Sequence, residues 1–275
     1  MRIAFYKGPG LAANYSEDLS PCPEEFTMHA HFQAELFYFI SGDAVYHVEG
    51  SEYALQPGDI LLMRPAEAHY IELRSNAPYR RIVISFNPEL FTPLDPEGHL
   101  MRPYHNRESG QHNLYRKSDF KDCDSGSFFR LLYEHTGSRH GSIAAVMLLM
   151  SAINRIFDAA PPAHAQSDTI EYQMMRYINA HLGKNISLEK MAQFFYISRA
   201  QLCRRFKRAT GTSVGSYVNA KRMITARAML LEGKKPTEVY AACGYTDYST
   251  FYRAYCKYFG YTPKKEISAH GQEDP

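Results

Sequence analysis

Two segments in the C-terminal third of this chain, residues 192–211 and 241–260, repeat one pattern at a spacing of 49 residues. Each carries an alanine, passes through a short turn, reaches a side chain suited to N-capping, and ends in a helix of about a dozen residues that stops at glycine. The ungapped alignment matches Ala192 with Ala241, Tyr196 with Tyr245, Ser198 with Asp247, Leu202 with Phe251, Arg204 with Arg253, Phe206 with Tyr255, and Gly211 with Gly260. The repeat therefore predicts two helix-turn-helix units.

The second helix of each copy has one apolar and one polar face, spaced at about 100° per residue. The apolar positions, expected in the core, are Leu202, Phe206, Phe251 and Tyr255. The opposite positions are Ala200, Arg204 and Lys207 in the first copy and Ser249, Arg253 and Lys257 in the second. A short, basic face suits the major groove of DNA, where arginine can read guanine in bidentate fashion and lysine can meet phosphates.

The segment between the copies, residues 213–233, has no proline and no glycine between Gly215 and its end, so it predicts one long helix. A rigid helix would hold two recognition helices at a fixed separation, and successive major grooves on one face of DNA lie about 34 Å apart. The alternative is a helical repeat for protein contact. Solenoids generally need at least three repeats, so a two-pronged grip on one duplex is the simpler interpretation.

Charge separates the two halves of the chain. Residues 1–167 hold 14 Lys and Arg against 20 Asp and Glu, a net charge of −6, whereas residues 168–275 hold 17 against 9, a net charge of +8. This asymmetry indicates that the C-terminal part meets a polyanion, although a solvated basic face is the alternative. The Pro/Ala-rich stretch 159–168 is predicted to be the linker between them.

Cysteine spacing and apolar runs bear on the compartment. Five cysteines, an odd number without a C-x-x-C motif, argue against a disulfide framework and a zinc knuckle. The N-terminus lacks the apolar core of a secretory signal, and the longest apolar run, residues 143–150, is too short to span a bilayer. We therefore expect a cytoplasmic protein with no membrane partner.

Residues 170–267 closely resemble the DNA-binding domain of AraC-type transcriptional regulators, most recognisably in the run CGYTDYSTFYRAYCKYFGYTP. Two departures are Cys256, where the family usually has lysine, and the ending KKEI, where tyrosine and arginine are usual. The resemblance implies double-stranded promoter DNA and RNA polymerase as partners. The residues expected at the DNA are Arg199, Ala200, Cys203, Arg204, Lys207, Arg208, Tyr248, Ser249, Thr250, Arg253 and Lys257. Arg205, Lys264 and Lys265 are further candidates for phosphate contacts.

The N-terminal half predicts a β-sandwich or a small β-barrel. Between Glu35 and Phe86 at least six short apolar runs alternate with turn signals such as Gln56-Pro57-Gly58-Asp59. The spacing of His29, His31, Glu35 and Gly42 resembles the first motif of cupin barrels, and PAEAH, ending at His69, resembles the second without its usual glycine. We therefore expect a cupin-like domain over residues 1–120.

Two roles are open for the polar residues of this barrel. His29, His31, Glu35 and His69 have the chemistry to hold a divalent transition metal such as Fe, Mn, Ni or Zn. Alternatively, as the resemblance to the regulators implies, they line a pocket for a small metabolite. The effector-binding candidates are His29, His31, Glu35, Tyr38 and His69, with Phe37 and Tyr70 beside them. Polar groups beside aromatic faces suit a carbohydrate, but they also line many other pockets.

Residues 121–158 predict two helices, of which the second is apolar around much of its circumference. Its stripe consists of Ile143, Val146, Met147, Met150, Ile153 and Phe157. In the family that the chain resembles such helices form dimer interfaces, so a homodimer is expected, with internal packing as the alternative.

The expected architecture is thus an N-terminal cupin-like β-barrel with a helical dimerisation segment, followed by an all-α domain at 169–270 with helix-turn-helix units at about 187–211 and 236–260. The expected function is a sequence-specific regulator of transcription, either activator or repressor, that responds to a small metabolite such as a sugar and has no enzymatic activity. The alternative is a metal-dependent cupin dioxygenase or isomerase fused to a DNA-binding domain. A repair protein that transfers a methyl group to cysteine is disfavoured, because Cys22 has no cysteine partners to bind a metal.

Overall fold

The computed structural model describes residues 1–22, 26–121, 123–159 and 169–270. The chain forms two compact units, one of Met1–Thr27 with Gln33–Ser167 and the other of Met28–Phe32 with Asp168–Pro275. The predicted linker at 159–168 lies outside the described residues except for Ala159, the last residue of a helix. Each unit is described by itself below.

The described part of the first unit contains nine strands in two antiparallel sheets. In chain order they are β1 (Arg2–Gly8), β2 (Leu11–Asp18), β3 (Ala34–Ser41), β4 (Ala44–Val48), β5 (Ser51–Ala54), β6 (Ile60–Met63), β7 (His69–Leu73), β8 (Tyr79–Phe86) and β9 (Leu114–Tyr115). The larger sheet has the order β1-β2-β8-β3-β6-β9, and the smaller has β5-β4-β7. The six runs predicted between Glu35 and Phe86 correspond to β3–β8, which confirms the β-rich fold class.

The first two strands were missed by the sequence analysis. β1 and β2 form a hairpin across Gly8-Pro9-Gly10, in which Gly10 has a φ of 71°. A positive φ favours glycine, and a Gly-Pro-Gly turn between two alternating runs is a hairpin signal that could have been used. β2 then pairs with β8, so the hairpin extends the larger sheet.

Alternation along the strands produces two separate cores. One face of the larger sheet, carrying Leu36 and Ile84, packs against helices and short 3-10 turns. Its other face, carrying Phe37 and Val83, meets the smaller sheet across an aromatic-rich core. Both cores follow from burying the two faces of one sheet in different partners.

The described helices of the first unit are α1 (Arg102–His105), α2 (Ser125–Glu134) and α3 (Arg139–Ala159), with 3-10 turns at Pro88–Phe91, His99–Met101 and Lys117–Asp119. Of the predicted stripe, Val146, Met150 and Ile153 are buried in the core beneath the larger sheet. This contact with the sheet is the internal packing kept above as the alternative.

By length and composition α3 could cross a membrane. The expectation from the short run 143–150 overlooked that the helix continues for 21 residues. Its buried face instead packs on the sheet, as a core helix does.

The described helices of the second unit are α4 (Ile170–Ala180), α5 (Leu188–Phe194), α6 (Arg199–Thr210), α7 (Val214–Leu231), α8 (Pro236–Ala242), α9 (Tyr248–Phe259) and α10 (Pro263–His270). The pairs α5–α6 and α8–α9 are the two predicted helix-turn-helix units, and α7 is the predicted long helix. At about 1.5 Å per residue, its 18 residues span about 27 Å.

Candidate functional site

The two recognition helices, α6 and α9, begin and end in the same way. Each has twelve residues. The side chain of Ser198 accepts a hydrogen bond from the backbone of Gln201, and Asp247 accepts one from Thr250. Each helix ends at a glycine with positive φ, Gly211 or Gly260. Caps at both ends satisfy backbone groups that would otherwise lack partners, so these short helices are well defined.

The turn before each recognition helix shows that the repeat is not fully in register. The amides of Ile197 and Tyr245 bond to the carbonyls of Ala192 and Tyr240, a spacing of 48 residues rather than 49. The left-handed residue that closes α5 is Tyr196, with a φ of 54°, and its counterpart is Gly244, with a φ of 77°. Both ends are Schellman motifs, and the second turn contains one extra residue before its cap.

The ungapped alignment is therefore wrong in this first half of the repeat. Ala192 is buried, as expected for the small residue at the contact between the helices, but Ala241 is exposed. The counterpart of Ala192 by hydrogen bonding is Tyr240. Alignment by residue type alone missed the insertion, because Ala192 and Ala241, and likewise Tyr196 and Tyr245, are 49 residues apart, whereas the hydrogen bonds repeat after 48.

The predicted faces of the recognition helices are confirmed by burial. The four apolar side chains are fully buried, each 0% exposed: Leu202, Phe206, Phe251 and Tyr255. Of the residues predicted at the DNA, Cys203 is half-buried and the others are exposed: Arg199, Ala200, Arg204, Lys207 and Arg208 on α6 and Tyr248, Ser249, Thr250, Arg253 and Lys257 on α9. A buried apolar edge holds each helix in the domain and leaves its basic face open to solvent.

Two basic residues of α6 have acidic partners within the unit. Arg199 lies 2.8 Å from a carboxylate oxygen of Glu189, and Arg205 lies 2.9 Å from Glu171. The first pair is exposed on both sides, so it contributes little to stability and leaves Arg199 available to exchange partners. Arg205 ties α6 to α4, a structural role that the sequence analysis did not predict.

A buried carboxylate fixes the end of the domain. Glu266 of α10 accepts hydrogen bonds from Tyr255 at 3.0 Å and Tyr261 at 2.5 Å, and it lies 2.8 Å from Arg227 of α7. The network joins α7, α9 and α10. It therefore holds the second recognition helix against the long helix.

In the first unit, strand pairing decides which side chains share the face between the sheets. Glu35 pairs with Ser85, Phe37 with Val83, and Phe39 with Arg81. Paired residues of antiparallel strands point to the same face. Because Phe37 and Val83 belong to the core between the sheets, Glu35 and Arg81 also point between them.

Glu35 and His69 come together in this space. Oε1 of Glu35 lies 3.9 Å from Nε2 of His69 and 3.3 Å from the hydroxyl of Tyr46, which donates to it. Nδ1 of His69 is 2.8 Å from the carbonyl oxygen of Glu67 and must donate, since a carbonyl only accepts. In the neutral ring Nε2 therefore carries the lone pair. Burial, together with the Glu35 charge, raises the pKa of Tyr46 well above its ordinary value, so its hydroxyl stays protonated.

Two predicted pocket residues point elsewhere. Tyr38, next to Phe37 on β3, faces the helices and stacks on Phe129 of α2 with ring centroids 3.9 Å apart. Tyr70 stacks on His47, at 4.3 Å. The prediction that Tyr38 and Tyr70 line the pocket beside Glu35 is wrong, because successive residues of a strand point to opposite faces.

The remaining predicted ligands, His29 and His31, lie in Met28–Phe32, which belongs to the second compact unit. Their ring centroids are 6.0 Å apart. Of the four residues predicted as metal ligands, the first unit thus contributes Glu35 and His69.

A polar pocket on the same face of the larger sheet was not predicted. It has a volume of about 390 Å³, and its lining residues are Met1, Arg2, Asn14, Ser16, Asp18, Arg81 and Val83. Ser16 pairs with both Arg2 and Arg81 across the strands, which places three polar side chains in one row. Arg81 donates to Asp18 at 2.6 Å and lies 4.5 Å over the ring of Tyr79. The local signal was the alternation Asn14, Ser16, Asp18, which requires the missed strand β2.

The fold and these sites define a class: a two-domain protein with a ligand-binding β-domain and a DNA-binding domain of two helix-turn-helix units. Residues 23–146 match the family described as AraC-like ligand binding domain, and residues 191–267 match the family described as helix-turn-helix domain. The chain belongs to the AraC-type transcriptional regulators, and it is a DNA-binding regulator of transcription with an N-terminal ligand-binding domain.

Curated relatives align with this chain over most of both lengths. The uncharacterized HTH-type transcriptional regulator YbfI of Bacillus subtilis is 22% identical over 82% of this chain and 81% of its own length. The XylDLEGF operon transcriptional activator 1 of Pseudomonas putida is 22% identical over 83% of this chain and 75% of its own. The solved structure of ToxT from Vibrio cholerae O395 is 12% identical, with a TM-score of 0.38 over 96% of this chain and 100% of that one.

Proposed function

We propose that this regulator recognises a bipartite promoter site with α6 and α9 and responds to a small, hydroxyl-rich metabolite, a sugar being the best candidate, bound on the polar face of the larger sheet of its first unit. The observation that carries the effector proposal is the polar row of Arg2, Ser16 and Arg81 that faces a 390 Å³ pocket. A pocket of this size takes a small metabolite.

Several features of the pocket favour a polar, hydroxyl-rich ligand, for which Arg2 supplies further N–H donors. The Arg81 and Asp18 side chains form an ion pair, so together they add no net charge but offer both donors and acceptors. Ser16 and Asn14 offer more of both kinds. A ligand with many hydroxyl groups can satisfy all of these groups at once, whereas an apolar ligand would leave them unpaired.

The effector proposal is tested by thermal shift of the full chain with a panel of pentoses and hexoses. A binding sugar at about 100 times its Kd raises stability by about 2.7 kcal/mol. Arg81→Ala should abolish the shift. Arg80→Ala is the matched control, because Arg80 neighbours Arg81 but pairs with Glu17 in the next row. A sugar response that survives Arg81→Ala, or is lost equally in Arg80→Ala, refutes this pocket.

For the DNA, we propose that Arg204 and Arg253 read guanines and that Lys207, Arg208 and Lys257 contact phosphates. Arg204 and Arg253 occupy equivalent places in two capped, exposed helices that α7 joins. Arginine contacts guanine O6 and N7 in bidentate fashion, a common specific contact in the major groove. In this motif, base edges are contacted by residues in the N-terminal part of the recognition helix, near its cap and within the next turn.

The DNA proposal is tested by selecting duplexes from random DNA with the full chain. We expect two short conserved blocks about one helical turn apart. Arg204→Ala should relax base preference in one block and Arg253→Ala in the other. A single block, or loss of both preferences in either variant, would contradict the two-pronged arrangement.

We propose that the protein regulates transcription and does not catalyse a reaction. A metal ion held by Glu35 and His69 is a separate proposal. Carboxylate and imidazole suit Fe, Mn, Ni or Zn, and a lone-pair Nε2 held by an Nδ1 hydrogen bond is the usual form of a histidine ligand. Glu35 and His69 meet these requirements for part of a shell. A metal supplies Lewis-acid chemistry when bound, and the dioxygenase or isomerase alternative requires it. Elemental analysis measures the metal content of the purified chain and of its Glu35→Gln variant. A metal held by Glu35 must be lost from the variant.

We also propose that the protein acts in the cytoplasm as a homodimer and activates transcription through RNA polymerase. α3 and α2 carry exposed apolar side chains, Leu148 and Tyr133, beside their buried faces. Sedimentation of wild type and Leu148→Asp tests the dimer, with a shift to monomer in the variant as the expected result. Transcription in vitro from a selected promoter tests activation.

A further inference from the structure

A second cleft lies wholly within the DNA-binding unit, and none of its lining residues belongs to the recognition helices α6 and α9. It has a volume of about 390 Å³, and its lining residues are Asn185, Ile186, Leu188, Val214, Gly215, Val218, Asn219, Arg222 and Tyr245. Of these, Gly215, Val218, Asn219 and Arg222 follow one stripe of α7 at helical spacing. The stripe faces the segment before α5 and the turn before α9.

The wall of this cleft is chemically divided. Ile186, Leu188, Val214 and Val218 provide an aliphatic surface, while Asn185, Asn219, Tyr245 and Arg222 provide polar groups. Arg222 is the charged residue of the lining. A site with an aliphatic half and a single cation fits an organic acid better than an inorganic anion, because the apolar half would give a bare phosphate nothing to bury.

The polar half is held in place before any ligand arrives. Arg222 donates from Nε to the carbonyl of Leu182 at 3.0 Å and from Nη2 to that of Lys184 at 2.6 Å. Its guanidinium lies 5.4 Å over the ring of Tyr245, whose hydroxyl donates to Asn219 at 2.9 Å. A guanidinium has five N–H donors and these two bonds use two of them, so it can also meet a carboxylate. Groups fixed beforehand lose little entropy when a ligand binds.

We propose that this cleft is a binding site for a small aliphatic carboxylate, distinct from the effector pocket of the first unit. The chain would lie along the four aliphatic side chains and the carboxylate would meet Arg222. Because the lining joins the segment before the first helix-turn-helix unit to the turn of the second, occupancy couples to the arrangement of the two recognition helices. A ligand with different affinity for two such arrangements changes DNA affinity.

Gly215 allows a test that fills the cleft without unfolding the protein. A Cβ built on Gly215 meets no atom within 4 Å, and its backbone lies outside the positive-φ region. Leucine there would project into the cleft, and it is a better helix former than glycine. Gly215→Ala is the matched control, since it adds one methyl group and leaves most of the volume open.

The experiment is methyl NMR of the full chain, with Ile, Leu and Val labelled, titrated with hexanoate to about 20 mM and, separately, with its neutral amide hexanamide. We expect hexanoate to shift the methyl signals of Leu188, Val214 and Val218, and hexanamide to bind at least about tenfold more weakly. Gly215→Leu should weaken hexanoate binding by at least about tenfold, while Gly215→Ala keeps it.

Three results would overturn the proposal. They are the absence of shifts at these methyls, equal binding of acid and amide, and unchanged binding in Gly215→Leu. DNA affinity is measured in parallel with and without hexanoate. Hexanoate at saturation should change the DNA affinity of wild type, and an unchanged affinity would overturn the proposed coupling between the cleft and the recognition helices.

Discussion

Glu67 is expected to be the most costly single polar side chain to change in the first unit. Its carboxylate accepts from Nη1 and Nη2 of Arg107 at 2.6 and 2.7 Å, from the amide of Gly110 at 3.0 Å, and from Asn113 at 3.1 Å. Both charged side chains are at most 1% exposed. The carbonyl of Glu67 also orients His69, so the network supports the space between the sheets.

The magnitude follows from the buried pair. Glu67→Gln keeps the shape but leaves the Arg107 charge without its partner, a change that costs about 3 to 5 kcal/mol at buried pairs. For a unit of this size that lowers the unfolding temperature by about 10 °C. Replacing both residues by methionine removes the two charges together and should cost far less, because no buried charge is left uncompensated.

The assay is differential scanning calorimetry of the full chain. Phe206→Ala identifies the transition of the DNA-binding unit, and the Glu67→Gln effect is read from the other. A shift below about 1 kcal/mol, or a double variant as unstable as Glu67→Gln, would refute the argument that charge pairing causes the loss.

The same carboxylate predicts a pH dependence. Burial alone would raise the pKa of Glu67, but Arg107 and its other donors hold it at about 2, against an ordinary value of 4.5. Since the folded pKa is the lower one, the stabilisation, about 3 kcal/mol, is present above pH 4.5 and is lost as the pH falls toward 2. Wild type should therefore lose more stability over this range than Glu67→Gln.

Three further predictions concern the DNA-binding unit. Gly244→Ala should destabilise it by about 2 kcal/mol, because residue 244 has a positive φ and an added Cβ would lie 2.8 Å from a backbone carbonyl oxygen. Tyr196→Gly should instead stabilise the unit by about 0.5 kcal/mol, because glycine adopts the same left-handed conformation without strain. Both effects are measured by calorimetry, and equal effects would contradict the shared left-handed turn. Arg253→Ala should cost about 1 to 3 kcal/mol at a selected DNA site, while Arg205→Ala, whose arginine is paired within the unit, should cost less than half as much in a fluorescence anisotropy titration. Glu266→Gln should destabilise the unit by about 1 to 3 kcal/mol through the loss of its buried acceptor, and an unchanged urea midpoint would rule that out.

Local sequence was enough for much of this protein. The caps Ser198 and Asp247 and the glycines that end α6 and α9 are signals read within a dozen residues, so both recognition helices and their buried faces could be predicted. The alternation between Glu35 and Phe86 predicted the strands for the same reason. Together with the charge difference between the halves, these features indicated a DNA-binding regulator with a separate ligand domain.

The tertiary structure decided the contacts between distant residues. The extra residue in the second turn became visible only through the hydrogen bonds of Ile197 and Tyr245, since residue type suggested the wrong register. Tyr38 was expected in the pocket but packs on Phe129, because β3 buries one face against helices and the other against the second sheet.

The polar pocket that we propose for the effector left only a partial signal in the sequence, the alternation of Asn14, Ser16 and Asp18. Arg81 meets Asp18 only because β2 pairs with β8, strands whose contacting residues are 63 positions apart. The energy that selects this pairing comes from the helices and sheets that cover both faces, and no local pattern records it. The sequence by itself determined which elements form and which of their faces are apolar, and only their packing decided which polar side chains meet.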